Sequence, residues 1–130
     1  MLKQKNNKIL LYGGKSTAYI VNSMLKNTKL EPSYIFDQYL KEPFFSSKAK
    51  FSNKKIDLKN FIEKSEKFFV CIGMMDGKLR DYISNLLIKK NLKPFSVISS
   101  SSNIDKTVKH GHGLLTMPNS VVHKFSKLGN

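Results

Sequence analysis

The sequence predicts an α/β protein, in which an open parallel sheet is followed by the first coil or so of a parallel β-helix. Up to about residue 100, short apolar runs alternate with segments of helical periodicity, as in βαβ units. Beyond that point the chain repeats in sixes: counting back from Leu128 gives Val122, Thr116, His110 and Ile104. A period of six is typical of a parallel β-helix, in which three hexads make one coil. We therefore expect two domains, residues 1–100 and 101–130.

The first strand and helix are predicted from the first 25 residues. The apolar run at residues 8–12 ends at Gly13 and Gly14, which favours a strand followed by a tight turn. Ser16 and Thr17 then stand where a helix amino terminus is expected. The apolar residues that follow have helical spacing: Ala18, Val21, Met24 and Leu25.

The second strand is predicted at residues 34–37, after the turn signal Glu31-Pro-Ser. Its last residue, Asp37, is an acid at the carboxyl end of the strand. Residues 38–55 show no clean periodicity, so we expect a long loop that can hold a short strand. Long loops often serve ligands.

The third strand is predicted at residues 68–72, an apolar run bounded by Gly73 that suits a central strand buried on both faces. Asp57 can cap a short helix before it, ending near Glu63. The only cysteine, Cys71, lies in this run. We expect a buried thiol, and disulfide and zinc chemistry are excluded.

A third helix and a fourth strand complete the predicted sheet. Asp76 is the expected cap of the helix, and Asn91 with Pro94 ends it. Its apolar face carries Leu79, Ile83, Leu86 and Leu87. The fourth strand is predicted at residues 95–98.

Four strands alternating with three helical stretches predict right-handed βαβ units and a Rossmann-like open parallel sheet with strand order 2-1-3-4. In this order the chain leaves strands one and three toward opposite sides. A ligand is then expected beyond their carboxyl ends. Residues 13–17 and 73–76 would meet there.

The composition argues against a membrane protein and against a nucleic-acid-binding protein. No apolar run approaches the roughly 20 residues that span a bilayer, and the amino terminus lacks the features of a signal peptide, so we expect a cytoplasmic protein without membrane insertion. The net charge of +14 favours phosphorylated ligands through long-range attraction. Nucleic-acid binding is disfavoured, because the lysines are scattered among asparagines and Arg80 is the only arginine.

The turn after the first strand is the main candidate for ligand binding. Residues 14–17 are similar to the end of a phosphate-binding Walker loop, but Ile9 stands where that loop needs a glycine. We favour a shortened dinucleotide-type turn, in which Gly13 permits the bend and the helix amino terminus offers N–H groups to an anion. Lys15 and Ser16 would then contact a phosphate or a sugar nucleotide. A tight turn without a ligand is the alternative.

Three further polar residues each have two interpretations. Asp37 can accept hydrogen bonds from a ribose or a base, or be a solvated turn residue. Arg80 can meet an anion or pair with Asp76 one helical turn away. His123 can act as a general base or be a structural histidine of the coil region. No set of residues has the spacing of a metal site.

Several segments, in this order and spacing, carry a resemblance over the whole chain. They are residues 10–18, 35–37, 71–73 with Gly77 and Arg80, and 117–125 followed by Leu128 and Gly129. In these segments the chain resembles the sialic acid O-acetyltransferase (NeuD/PglD) family of sugar O- and N-acyltransferases. One departure is Lys15, where many relatives have glycine.

The resemblance implies a two-domain enzyme. A Rossmann-like domain would bind a nucleotide-linked amino sugar (UDP- or GDP-linked) or sialic acid, and a left-handed β-helix would bind acetyl-CoA. It also implies homotrimers in which a histidine of a later coil is the general base. With Arg80 added, the predicted substrate-binding residues are Gly13, Gly14, Lys15, Ser16, Asp37, Ile72, Gly73, Met74 and Arg80.

Residues 104–130 supply only part of such a β-helix, about one and a half coils. We therefore expect this chain alone to lack the catalytic histidine and the acetyl-CoA site, and so to bind substrate without a catalytic residue or a cofactor. The leading hypothesis is the substrate-binding, amino-terminal domain of a sugar acetyltransferase. The alternative is a non-catalytic sugar-nucleotide-binding or regulatory module whose open coil edge pairs with another chain. A nucleic-acid-binding protein is the minor alternative.

Overall fold

The computed structural model describes residues 7–73 and 75–130, and the chain divides into two compact units, Met1–Pro94 and Phe95–Asn130. The elements of the first unit are β1 (Ile9–Tyr12), α1 (Ser16–Leu25), β2 (Tyr34–Phe36), β3 (Lys50–Ser52), α2 (Lys55–Lys64), β4 (Lys67–Val70), α3 (Gly77–Lys89) and β5 (Lys93–Pro94). Among the described residues, no helix combines the length and the apolar character needed to cross a membrane.

The first unit contains a five-stranded parallel sheet in the order β3-β2-β1-β4-β5. The predicted α/β architecture with a parallel sheet is therefore confirmed. The order differs from the predicted 2-1-3-4 by one strand, because β3 is added at the edge beside β2. This strand lies within the predicted long loop, and it has no apolar run of its own to mark it.

Two details of the prediction are wrong. The last strand of the sheet is β5, where the Lys93 N–H donates to the Glu66 carbonyl at 2.9 Å, and not residues 95–98. Pro94 is tolerated because β5 is an edge strand. Asp57 does not cap α2, which begins at Lys55; its carboxylate accepts a hydrogen bond from the Ser52 hydroxyl at 2.6 Å.

A single apolar cluster packs the sheet against α2 and α3. Its buried members are Leu10, Tyr34, Phe36, Phe61, Phe68, Ile83, Leu87 and Leu92. Side chains alternate along a strand, so Ile9 and Leu11 point to the other face of β1, and they are fully buried as well. As predicted, Asp76 caps α3, with its carboxylate accepting from the Leu79 N–H at 3.0 Å.

The second unit consists of six two-residue strands. They are β6 (Val97–Ile98), β7 (Asn103–Ile104), β8 (Lys109–His110), β9 (Leu115–Thr116), β10 (Val121–Val122) and β11 (Lys127–Leu128). They form three parallel pairs, β6 with β9, β7 with β10 and β8 with β11. In each pair a residue lies beside the one three hexads later, as Ile104 lies beside Val122. This register is that of one β-helix coil stacked on the next, and it indicates β-helix turns.

Three corners between these strands share a conformation, and two of them share a hydrogen bond. Gly113, Asn119 and Phe125, six residues apart, have φ of 75°, 61° and 60°. The Ser101 hydroxyl accepts from the Asn119 N–H at 3.1 Å, and the Thr107 hydroxyl accepts from the Phe125 N–H at 2.7 Å. Side chains of one coil therefore hold the backbone of the next.

Candidate functional site

The turn after β1 brings three strands together at the carboxyl edge of the sheet. Gly13 has φ of 117°, and its N–H donates to the Phe36 carbonyl at 2.7 Å. A Cβ atom on Gly13 would lie 2.5 Å from the carbonyl oxygen of Cys71. Only glycine fits, because the conformation disfavours a side chain and the segment after β4 leaves no room for one. The close approach brings the ends of β1, β2 and β4 to the same place.

Asp37 fastens the segment after β2 to this turn. One carboxylate oxygen accepts from the Gly14 N–H and the other from the Tyr39 N–H, both at 3.0 Å. Asp37 is only 8% exposed, so it is not a solvated turn residue. Each carboxylate oxygen has a second lone pair, so Asp37 retains the capacity to accept a hydrogen bond from a ligand.

The amino terminus of α1 is open. Lys15 occupies the cap position with φ of −96° and ψ of −153°, and among the described residues no side chain caps the helix. The first turn contains no acid. Within the described part of the chain, the N–H groups of Ser16 and Thr17 have no acceptor. Free N–H groups and the positive end of the helix dipole favour an anion here, beside the exposed Lys15 side chain.

The segment after β4 lies beside the turn that contains Gly13, and Arg80 holds it in place. The guanidinium donates to the Gly73 carbonyl at 2.7 Å and to the Ile72 carbonyl at 3.3 Å. No ion pair joins Arg80 to Asp76 among the described residues, and the Asp76 carboxylate instead accepts from the Leu79 N–H, so the alternative in which these two residues pair is wrong. A guanidinium has five N–H donors, so contact with an anion is still open. The remaining predicted residue of this segment, Met74, lies outside the described residues.

Tyr12, at the end of β1, is a candidate that the sequence interpretation missed. Its ring packs against Phe36 at 5.3 Å between centroids. The pKa of the Tyr12 phenol is raised above 10.0, chiefly because the side chain is partly buried. The nearby Asp37 and Tyr39 raise this pKa further. Within the described residues its hydroxyl has no hydrogen-bond partner. Tyr12 is therefore neutral and can donate a hydrogen bond near Asp37, and its position just before the glycine pair was the signal in the sequence.

The segment between β2 and β3 covers one side of the turn. Its backbone is bound to the turn where the Phe44 N–H donates to the Gly14 carbonyl at 2.9 Å. Phe45 stacks on Tyr19 of α1 at 5.6 Å. Tyr39 and Phe44 are exposed, at 79% and 64%. The sequence predicted a loop here, but not that the loop would present aromatic side chains.

Other candidates do not form a reactive centre. Cys71 is buried, as predicted, and burial raises the pKa of its thiol, so a thiolate nucleophile is disfavoured. In the second unit, a shallow cleft is lined by Asn103, Asp105, Val121, Val122, His123 and Lys124. No group of three metal-ligating side chains occurs among the described residues.

Two separate features therefore meet at the carboxyl edge of the first unit. One is an open helix amino terminus with a lysine, suited to a phosphate group. The other is the buried Asp37 carboxylate with the Tyr12 phenol near it, suited to the hydroxyl groups of a ribose or another sugar. Their combination fits a ligand that carries both phosphate and sugar.

No family model matches this sequence, and no curated protein matches it. Solved structures do match. PerB from Caulobacter crescentus, in complex with CoA and GDP-perosamine, has a TM-score of 0.76 and 20% identity over 95% of this chain and 57% of its own. The H141N mutant of this perosamine N-acetyltransferase has a TM-score of 0.80 and 19% identity, with the same coverage.

The acetyltransferase domain of PglB from Neisseria gonorrhoeae, in complex with acetyl coenzyme A, has a TM-score of 0.75 and 16% identity over 96% of this chain and 60% of its own. At these identities the matches show the fold. This chain therefore shares its fold with these sugar acetyltransferases. This chain spans less than two thirds of the length of the enzymes it matches.

Proposed function

We propose that this chain provides the substrate-binding part of an acetyl-CoA-dependent sugar acetyltransferase, and that its substrate is a nucleotide-linked amino sugar. The observation that carries the proposal is the open amino terminus of α1 beside Lys15, next to the buried Asp37. The same fold occurs in enzymes solved with GDP-perosamine and CoA. A plain tight turn would require neither an uncapped helix nor a buried carboxylate beside it.

In this proposal the diphosphate lies against the N–H groups of Ser16 and Thr17, and the Lys15 ammonium neutralises its charge. Gly13 and Gly14 permit the close approach, and Asp37 accepts hydrogen bonds from the ribose. The other side of the proposed site is formed by Ile72 and Gly73, and Met74, which lies outside the described residues, is assigned to the same contacts. Arg80 supports that segment through its carbonyl groups.

We assign the first unit, Met1–Pro94, to the substrate domain and the second unit, Phe95–Asn130, to the start of a left-handed β-helix. In the complete enzyme, acetyl-CoA would bind to this β-helix in a homotrimer. A histidine outside the residues assigned here would remove a proton as the sugar amine attacks the thioester carbonyl, and CoA would leave. Main-chain donors would stabilise the oxyanion. The matched enzymes favour an amino-sugar acceptor over sialic acid, and transfer to nitrogen over oxygen.

Calorimetric titration with GDP- and UDP-linked amino sugars tests the proposal. We expect binding by the wild type, and a roughly tenfold weaker affinity for Lys15→Met, because a charge-assisted contact with phosphate is lost. Lys26→Met is the matched control, since it removes the same charge at the other end of α1 and should bind as the wild type does.

Three results would count against the proposal. Absence of binding to every sugar nucleotide would refute it. Equal weakening by both lysine variants would indicate a general charge effect in place of a phosphate site. Binding to DNA that weakens steeply with salt, in the absence of sugar-nucleotide binding, would favour the nucleic-acid alternative.

A further inference from the structure

The exposed aromatic side chain of Tyr39 lies in the segment that follows Asp37, beside the proposed ligand site. Tyr39 is 79% exposed, and within the described residues its ring stacks on no other ring. Tyr19, on α1, differs in that it stacks on Phe45. A single exposed tyrosine is common in proteins, so its meaning depends on how it is held.

The backbone of Tyr39 is held by the site itself. Its N–H donates to one carboxylate oxygen of Asp37, and the other oxygen accepts from the Gly14 N–H. One buried carboxylate thus fixes the position of Tyr39 relative to the turn that begins α1. Tyr39 also contributes to the raised pKa of Tyr12, which places the two phenols near each other at the carboxyl edge of the sheet.

A sugar nucleotide in the proposed orientation extends from the helix amino terminus toward β2. Its diphosphate would lie at Lys15 and its ribose at Asp37. The base, which is attached to the ribose, would then lie near Tyr39, two residues after Asp37. An exposed aromatic ring is suited to the flat face of a base, because the ring and the base both lose water-exposed surface when they stack.

We propose that Tyr39 stacks on the nucleobase of the substrate and thereby makes the site selective for nucleotide-linked sugars over free sialic acid, which has no base. This inference rests on the proposed function, since it assumes that a sugar nucleotide occupies the crevice. Stacking tolerates any base because each has a π face. Tyr39 therefore confers affinity for a nucleotide without selecting uracil or guanine by hydrogen bonds.

Three variants test this role by calorimetric titration with a GDP-linked amino sugar. Tyr39→Leu should weaken binding by roughly 5- to 100-fold, which corresponds to the loss of one base–aromatic stack. Tyr39→Phe retains the ring and should bind within about threefold of the wild type. Tyr82→Leu is the matched control: Tyr82 is also exposed, at 62%, but lies on α3, so its loss should leave the affinity unchanged.

A second measurement reports stacking directly. The chain contains no tryptophan, so Tyr39→Trp introduces a single indole. Titration with GDP should quench its fluorescence, and titration with inorganic pyrophosphate should not, although both ligands can occupy the phosphate site. Equal responses to the two ligands would contradict stacking on a base.

The outcomes separate the two proposals. If the wild type binds no sugar nucleotide, the proposed function fails, and this inference fails with it. If the wild type binds and Tyr39→Leu binds equally well, only the role of Tyr39 is overturned. A loss that is the same for Tyr39→Phe as for Tyr39→Leu would assign the effect to the hydroxyl and would also overturn stacking.

Discussion

The two units of this chain are stabilised in different ways. In the described part of the chain, every buried apolar side chain except Val97 lies in the first unit, where the sheet packs against helices. The second unit has two-residue strands, and its coils are joined by hydrogen bonds such as that from the Phe125 N–H to the Thr107 hydroxyl. The comparison teaches that the first unit depends on apolar packing, and the second on polar contacts that repeat along the chain.

The largest predicted effect is that of a core truncation in the first unit. Phe61 is buried and stacks on Tyr34 at 4.5 Å. Phe61→Ala should lower the free energy of unfolding by about 3–5 kcal/mol, because it leaves a cavity in a packed core. Urea denaturation followed by circular dichroism measures the change.

The control for this core truncation lies in the second unit. Val121→Ala removes an apolar side chain that is 61% exposed, so the expected change is below about 0.5 kcal/mol. Comparable losses for Phe61→Ala and Val121→Ala would contradict the distinction between the two units.

The turn that carries the site should be nearly as sensitive. Gly13→Ala places a Cβ atom 2.5 Å from the Cys71 carbonyl oxygen at a φ of 117°, and we expect a loss of about 3 kcal/mol in the same assay. Gly73→Ala is the matched control at the same edge of the sheet, because its Cβ atom would meet nothing within 4 Å. If Gly13→Ala is as stable as Gly73→Ala, the close approach of the strands is not as described.

The sequence predicted the elements that are defined by continuous apolar runs or by regular repeats. The apolar runs located β1, β2 and β4, and the hexad spacing located β7 to β11 in the second unit, but not β6. Residues 95–98 were assigned to the sheet because Phe-Ser-Val-Ile is more strand-like than Lys93 and Pro94. One more step of six back from Ile104 reaches Ile98, which would have placed Val97 and Ile98 among the hexads.

The candidate site was predictable in position but not in its contacts. The glycine pair and the strand order located the carboxyl edge of the sheet. Arg80 was expected to meet an anion or Asp76, whereas its guanidinium donates to the Gly73 carbonyl. This contact could not be predicted, because every residue has a backbone carbonyl and the sequence does not show which one folding brings near Arg80. The exposure of Tyr39 likewise depends on tertiary contacts that no periodicity records.

A smaller effect is expected from the buried carboxylate that joins the site together. Asp37→Asn replaces one of the two oxygens that accept from Gly14 and Tyr39 with an amide donor. We expect a loss of about 2 kcal/mol in the free energy of unfolding, together with weaker binding of sugar nucleotides. Asp81→Asn, at an exposed position on α3, is the control and should change neither quantity. An unchanged stability for Asp37→Asn would mean that these hydrogen bonds contribute little.

In the second unit the corner hydrogen bonds should matter more than apolar side chains. Thr107→Val removes the acceptor of the Phe125 N–H, and we expect a loss of about 1 kcal/mol. Thr107→Ser keeps the hydroxyl and should remain close to the wild type. Faster amide hydrogen exchange at Phe125 in Thr107→Val, but not in Thr107→Ser, would locate the effect. A stable Thr107→Val with unchanged exchange would contradict the polar account of this unit.

The smallest predicted effect is on the titration of Asp105. The Thr107 N–H and the Thr107 hydroxyl donate to its carboxylate at 2.9 and 2.7 Å. These bonds, in that order, lower the pKa of Asp105 below 3.8, and His123 contributes less. Because the folded pKa lies below the unfolded one, the carboxylate stabilises the corner above about pH 4, and this contribution is lost as the pH falls through the folded pKa.

The carboxyl carbon chemical shift of Asp105, followed by NMR as the pH is lowered, measures this titration. Thr107→Val keeps the N–H donor but removes the hydroxyl, so the pKa of Asp105 should rise part of the way toward 3.8. Thr107→Ser should leave the pKa near its wild-type value. An Asp105 that already titrates at 3.8 or above in the wild type would mean that the corner is not closed by Thr107. The second unit would then have to be stabilised by something other than the polar contacts that distinguish it from the first unit.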